Sequence, residues 1–355
     1  MSKIIQIGKH SVGIGKRPLF LPDIGTFFNQ NMSLAKEIVN KLSISGVSVM
    51  KGEILHSADI CLKENSGEES YWGHCSGEMQ SEDYRSLIER KVISLSVYED
   101  LFRYSQNLGM EVVVSVYDFA GADFAKDIGA VALKIASSNI THQPLISHIS
   151  KLGLPIIFDT GHSSLEEVAR AISWSKDVAD SEVIVEHSPL GPPHPVERHS
   201  LNFMNALGAV FDIPYGLSDH HIDDEMLYAA TAMGASILEK GICPDDMGDE
   251  QDGGHALPIS RVKDVLVKIN NVYSGLGKST RELRHDRVKY SSRMGLVAKH
   301  NLKSGDEINL DNVTFAFPAK GIGTECWEDV CEWKLVENIS KGQPISWHQV
   351  HALAT

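Results

Sequence analysis

The sequence predicts an α/β protein: a (β/α)8 barrel followed by a small C-terminal module. Three observations predict it. Eight apolar, β-branched segments recur through the first 279 residues with amphipathic helical stretches between them, the alternation of a parallel β/α architecture. Eight such units in roughly 270 residues match the size of a barrel of this kind. A doubly wound open sheet is disfavoured because the turn after the first strand, Asp23-Ile24-Gly25-Thr26-Phe27-Phe28, is not the glycine-rich phosphate loop G-x-G-x-x-G.

Taken in order, the strands are expected at Pro18–Ile24, Val47–Lys51, Glu111–Tyr117, Ala130–Ser137, Pro155–Thr160, Glu182–His187, Ile213–Ser218 and Ser236–Lys240. Each is a short apolar run too brief for a buried helix. The helices are expected at Leu34–Leu42, Glu82–Lys91 with Glu99–Leu108, Ala122–Asp127, Gln143–Lys151, Leu165–Ser175, Leu201–Ala209, Glu225–Met233 and Ser260–Tyr273. The connection Ile54–Ser81 is long for a βα loop, and such loops cover active sites about as often as they stray over the surface. After residue 279 the barrel spacing stops. A basic linker over 280–292 leads into a compact module over 293–355, punctuated by turns at Lys303-Ser304-Gly305-Asp306 and Ser340-Lys341-Gly342-Gln343-Pro344. Trp327 and Trp333 are expected in that module's core.

Composition narrows the function classes. Of 355 residues, 42% are hydrophobic and 23% charged, which is ordinary for a globular protein, and the formal charge of −14 without a basic cluster argues against nucleic-acid binding. No apolar run approaches the roughly 18 residues of a membrane span, and no signal-peptide layout is present, so a cytoplasmic location is expected. The five cysteines are odd in number and scattered, as suits a reducing compartment. Cys326-x4-Cys331 and His74-Cys75 lack the partners of a zinc site.

In a parallel barrel, chemistry gathers where the strands end. The expected strand ends carry Asp23; Lys51 and Glu53; Ser115, Tyr117 and Asp118; Lys134, Ser137 and Asn139; Asp159 and His162; Glu186, His187 and Ser188; Ser218, Asp219, His220 and His221; and Glu239 with Lys240. One polar strand end is ordinarily a solvated cap. Eight together, with three lysines and several histidines beside carboxylates, point to an active site, and the lysines supply local positive charge for an anionic ligand.

Several ordered motifs resemble the phosphoenolpyruvate-dependent sialic acid synthases and their pseudaminic and legionaminic relatives. Lys134-Ile-Ala-Ser-Ser-Asn-Ile-Thr-His-Gln-Pro-Leu-Ile146 is similar to that family's K-I-A-S-G-D/E segment, and Leu154-Pro-Ile-Ile-Phe-Asp-Thr-Gly161 with Ser164-Leu-Glu-Glu167 to its next strand and helix. Tyr215-Gly-Leu-Ser-Asp-His220 resembles G-Y-S-D-H-T, Ile237-Leu-Glu-Lys240 resembles V-I-E-K-H, and Leu302-Lys-Ser-Gly-Asp-Glu-Ile308 resembles the family's antifreeze-like domain. The resemblance implies condensation of phosphoenolpyruvate with the aldehyde of an N-acetylhexosamine-like sugar, in a domain-swapped homodimer. It implies a divalent metal, manganese or magnesium, acting as a Lewis acid. It implies substrate contacts at Lys51, Lys134, Ser137, Asn139, Asp159, Ser218 and His255, catalytic roles for Asp23, Glu53, Asp219, Glu239 and Lys240, and metal ligation by His220.

The departures fall on the same rim. Gly241 stands where the family has its second metal histidine, Asp23 where it has glutamate, Phe27-Phe28 where it has Asn-His, and Asp159 where a serine contacts phosphate. Phe317-Pro318 replaces the arginine that reaches the sugar across a dimer, and the run Pro189–Pro193 differs from the family's turn. His187 is the expected partner of His220, with Asp159, Glu239, Cys243, Asp245 and Asp246 as further candidates. Two other readings stay open: a lyase or aldolase using Lys134 or Lys240 as a Schiff-base amine, or a non-catalytic sugar-phosphate binder.

Overall fold

The computed structural model describes residues 3–73, 76–189, 196–280 and 292–352. The His74-Cys75 pair, most of the run Pro189–Pro193 and nearly all of the basic linker lie outside the described residues. The chain divides into two compact units, Met1–Gly277 and Lys278–Thr355.

The first unit is a closed parallel barrel. Its strands are β1 (Leu19–Asp23), β2 (Val49–Ile54), β3 (Glu111–Val116), β4 (Ala132–Ile135), β5 (Ile156–Asp159), β6 (Val183–His187), β7 (Tyr215–Asp219) and β8 (Ile237–Cys243). They pair in sequence order, and β8 closes the ring by pairing with both β7 and β1. The helices α1 (Met32–Ile44), α2 (Leu95–Asn107), α3 (Phe119–Asp127), α4 (Gln143–Ser150), α5 (Leu165–Ala179), α6 (Leu201–Phe211), α7 (Glu225–Ala232) and α8 (Val262–Leu276) follow the strands one by one. All eight expected strands and the helices between them are present, each within a few residues of its expected bounds. One extension bears on the site: β8 runs on through Gly241 to Cys243.

Alternation along each strand divides its side chains between two cores. One set, including Phe20, Met50, Val114, Leu133, Phe158, Val185, Leu217 and Leu238, packs under the helices. The other set, Leu19, Leu21, Val49, Val113, Ala132, Ile157, Ile184 and Ile237, fills the barrel's base together with Ile5, Ile7 and Val12. Those three come from an N-terminal hairpin, Ile5–Ile7 paired with His10–Val12, which plugs the bottom of the barrel. The hairpin escapes sequence periodicity because each strand has three residues.

The long connection after β2 contains a second hairpin, Glu68–Trp72 with Met79–Asp83, and a short helix, Tyr84–Glu89. It is fastened to the loop after β8: Arg90 makes two 2.7 Å bonds to the Glu250 carboxylate, and the Ser76 N–H donates to Asp249. In the second unit, Gly295–Ala298 pairs with Val313–Ala316 and Lys334–Leu335 with Val350–His351. Its core includes Leu296, Ile308, Ile322 and Ile345, with Trp327 and Trp333 packed against it.

Candidate active site

The base plug fixes which strand-end residues enter the lumen. Stepping two residues up from each plug residue leads from Leu21 to Asp23, from Val49 to Lys51 and Glu53, from Val113 to Ser115 and from Ala132 to Lys134. The same step leads from Ile157 to Asp159, from Ile184 to Glu186, and from Ile237 to Glu239 and Gly241, while β7 contributes Ser218 and, just past its end, His220. Glu186 is wholly buried below the rest. The others, with Tyr117, Ser137, Asp252 and His255, line one cavity of about 180 Å³ at the mouth.

Lys134 is the hub of this lumen. Its Nζ lies 2.6 Å from Glu239, 3.0 Å from Glu186, 3.1 Å from Asp159 and 3.4 Å from the Ser218 hydroxyl. Oxygens of those three carboxylates lie within 4.8 Å of one another, close enough to hold a metal ion, and the Lys134 ammonium already occupies their centre. Lys51 pairs with Asp23 at 2.5 Å and with Glu239 at 3.5 Å. The lumen therefore sets the Lys51 and Lys134 ammonium groups against the carboxyls of Asp23, Asp159, Glu186 and Glu239, with Glu53 and Asp252 on the same cavity.

Burial and charge pull these groups apart in pKa. Burial alone would lower Lys134, but Glu186, Glu239 and Asp159 hold it well above the ordinary lysine value. Burial would raise Asp159 and Glu239, yet Lys134 keeps both below the usual carboxylate range, helped by His220 at Asp159 and by Lys51 at Glu239. Glu186 is pushed up to about 8 by burial, with the neighbouring Glu239 and Asp159 charges outlasting the pull of Lys134. Glu53, which accepts the Tyr117 hydroxyl, is pushed up to about 7, chiefly by burial. The lumen thus holds two carboxyls able to exchange protons near neutrality. It offers no free amine at Lys134, so a Schiff base there is disfavoured.

Not every expected site residue joins this group. Asp219 and Lys240 also border the mouth cavity, but they sit at the alternate parity, and their wholly buried side chains pair with each other at 3.0 Å. Lys240 also donates to the carbonyls of His221 and Asp223, so the pair clamps the loop leaving β7 instead of presenting free groups to a ligand. Asn139 lies on the turn Ser137–Asn139 outside the cavity lining, whereas Ser137 lines it. His187 points the other way. Its ring bonds the His199 carbonyl at 2.6 Å through Nε2, packs edge-on against Phe203, and lines a separate cavity with His162. Cys243 and Asp245 line a further pocket, where burial pushes the Cys243 thiol up to about 11.

The imidazole that does meet His220 is His255, from the loop after β8. The ring centroids are 4.5 Å apart at 43°, and Nδ1 of each ring is buried without a hydrogen-bond partner among the described residues. Burial, His220 and Lys240 hold His255 well below the ordinary histidine range, so it is neutral at pH 7. Two imidazoles with orphaned nitrogens beside carboxylates fit a divalent transition ion such as manganese better than magnesium, which prefers oxygen donors. Strand parity counted from the apolar base also identifies Ser115, Tyr117 and Glu186, which sequence reading had named as strand ends without assigning them a role.

The residues matched by a family model for NeuB run from 38 to 281, and a SAF domain model matches 293 to 351. The chain is 23% identical to N,N'-diacetyllegionaminic acid synthase of Campylobacter jejuni, over 88% of this chain and 94% of that protein. It is 25% identical to an uncharacterized protein of Methanocaldococcus jannaschii over 97% of both. Among solved structures, the N-acetylneuraminic acid synthetase of Leptospira borgpetersenii shares the fold with a TM-score of 0.70 and 21% identity, over 80% of this chain and 94% of that one.

Proposed function

The chain belongs to the NeuB family, and from that membership we propose that it condenses phosphoenolpyruvate with the aldehyde of an open-chain amino sugar to give a nonulosonic acid and phosphate. A bond forms between C3 of phosphoenolpyruvate and the aldehyde carbon, and the aldehyde oxygen takes a proton. Water adds at C2 as phosphate departs. The observation that carries the reading is the convergence of Lys51, Lys134, Ser137 and Ser218, from the ends of three strands, on one cavity.

In this reading Lys51 and Lys134 offset the charge of the phosphate and carboxylate, and the Ser137 and Ser218 hydroxyls donate to their oxygens. Glu53, near pH 7 in its titration and bonded to Tyr117, is placed to hand a proton to the aldehyde oxygen. Asp23 and Glu239 orient the two lysines through their ion pairs. A divalent ion held at His220 and a second imidazole supplies Lewis-acid polarisation of the aldehyde when bound. The lumen carries surplus acid, so the incoming anion binds with proton uptake, for which Glu53, at about 7, is suited. A homodimer, a cytoplasmic location and the division into residues 1–279, 280–292 and 293–355 belong to the same proposal.

The test is phosphate release from phosphoenolpyruvate by the purified protein across a panel of N-acetylhexosamines, with manganese, magnesium or no metal. Release with one sugar is expected. No release with any, together with no calorimetric binding of phosphoenolpyruvate, overturns the proposal in favour of a non-catalytic binder.

A further inference from the structure

We infer that His220 and His255 together form a divalent-metal seat at the barrel mouth, with its second ligand carried by the loop after β8 instead of by β8 itself. Four observations carry it. The two rings lie 4.5 Å apart on one cavity, and each keeps a buried Nδ1 without a partner among the described residues. A buried imidazole nitrogen normally finds a hydrogen bond, so two orphans on rings 4.5 Å apart point to a common partner. His255 is only 5% exposed, in the turn Gly253–His255, whose backbone is fixed by the His255 N–H donating to the Asp252 carbonyl.

The strand position itself is crowded. A Cβ on Gly241 would lie 3.2 Å from the Phe27 ring and 3.6 Å from Ala256, so Phe27 fills the space that a side chain at 241 would use. The carboxylate of Asp159 lines the same cavity and supplies negative potential there.

The inference deepens the proposed reaction but is tested apart from it. Manganese and cobalt are titrated into the full-length protein by calorimetry, with the cobalt absorption spectrum reporting the ligand set and thermal melting checking the fold. One ion per chain is expected, with about 100-fold or greater loss of affinity in both His220→Gln and His255→Gln. His187→Gln should bind as the unaltered protein does. Binding that survives His255→Gln, or no binding by the unaltered protein, overturns the inference. Metal binding that depends on His255 without turnover of phosphoenolpyruvate leaves the seat standing and removes the proposed reaction.

Discussion

Lys134 and Glu239, from strands on opposite sides of the barrel, meet at 2.6 Å in the middle of the lumen. The contact decides the stability of the mouth, because Asp159 and Glu186 close on the same ammonium. Removing one partner of a buried ion pair leaves uncompensated charge and costs about 3–5 kcal/mol. Lys134→Met is therefore expected to destabilise the barrel by that amount in urea denaturation at neutral pH, and a second change, Glu186→Gln, to recover part of it. A loss below about 1 kcal/mol would show that the carboxylates do not depend on the ammonium.

The two raised carboxyls set a pH dependence of stability. Glu186, at about 8, and Glu53, at about 7, bind their protons more tightly folded than in the unfolded chain, whose glutamates titrate near 4.5. Across that interval the native state carries more protons, so these groups make stability fall as pH rises from about 4.5 to 8 and add no further slope above it. Asp159 and Glu239, held low, act oppositely: their contribution is present at neutral pH and lost as pH falls through their folded pKa values. His255 and His187, held low by burial, make stability rise with pH up to about 6.5, so urea midpoints should decline from about pH 6.5 to pH 8.5, and Glu186→Gln should flatten that decline. An unchanged slope in that variant would remove Glu186 as the source.

The buried pair Asp219–Lys240 predicts a structural phenotype for residues that read as catalytic in sequence. Lys240→Met strands the Asp219 carboxylate and two carbonyl groups, with an expected cost of about 3–5 kcal/mol. Adding Asp219→Asn should return a substantial part, so a double-mutant cycle should show coupling above about 1 kcal/mol. Strictly additive effects would mean that the two side chains do not act as a pair.

Why the barrel was legible and the site only partly so follows from the same alternation. Runs such as Glu111–Val116 are buried on both faces, so their β-branched character survives as an unbroken apolar signal. Polar residues at a strand end carry no such signal of direction: Glu186 and His187 are adjacent, and one enters the lumen while the other turns to Phe203. The direction becomes readable when counted from Ile184, whose inward side is fixed by the base plug. His255 was harder still. It lies in a loop whose path depends on Arg90–Glu250 and Ser76–Asp249 contacts far apart in sequence, and no periodicity foretells its approach to His220.

Asp159 gives the sharpest test of what the lumen accepts. Its carboxylate lines the cavity and stands 3.1 Å from Lys134, so it both repels an anion and spends part of the ammonium's field. If phosphoenolpyruvate is the ligand, Asp159→Ser should remove the repulsion, add a hydroxyl donor and leave Lys134 with Glu186 and Glu239. Affinity should then rise roughly tenfold, about 1.4 kcal/mol, in calorimetry at low ionic strength, with a smaller gain in high salt. The proton uptake on binding should fall as well, because one fewer carboxylate opposes the ligand. Unchanged or weaker binding in a folded Asp159→Ser protein would mean that the acid belongs to recognition and not to an inherited obstacle. The lumen would then be built for a ligand that brings positive charge or hydroxyl groups to Asp159, and the proposed three-carbon acid would be the wrong substrate.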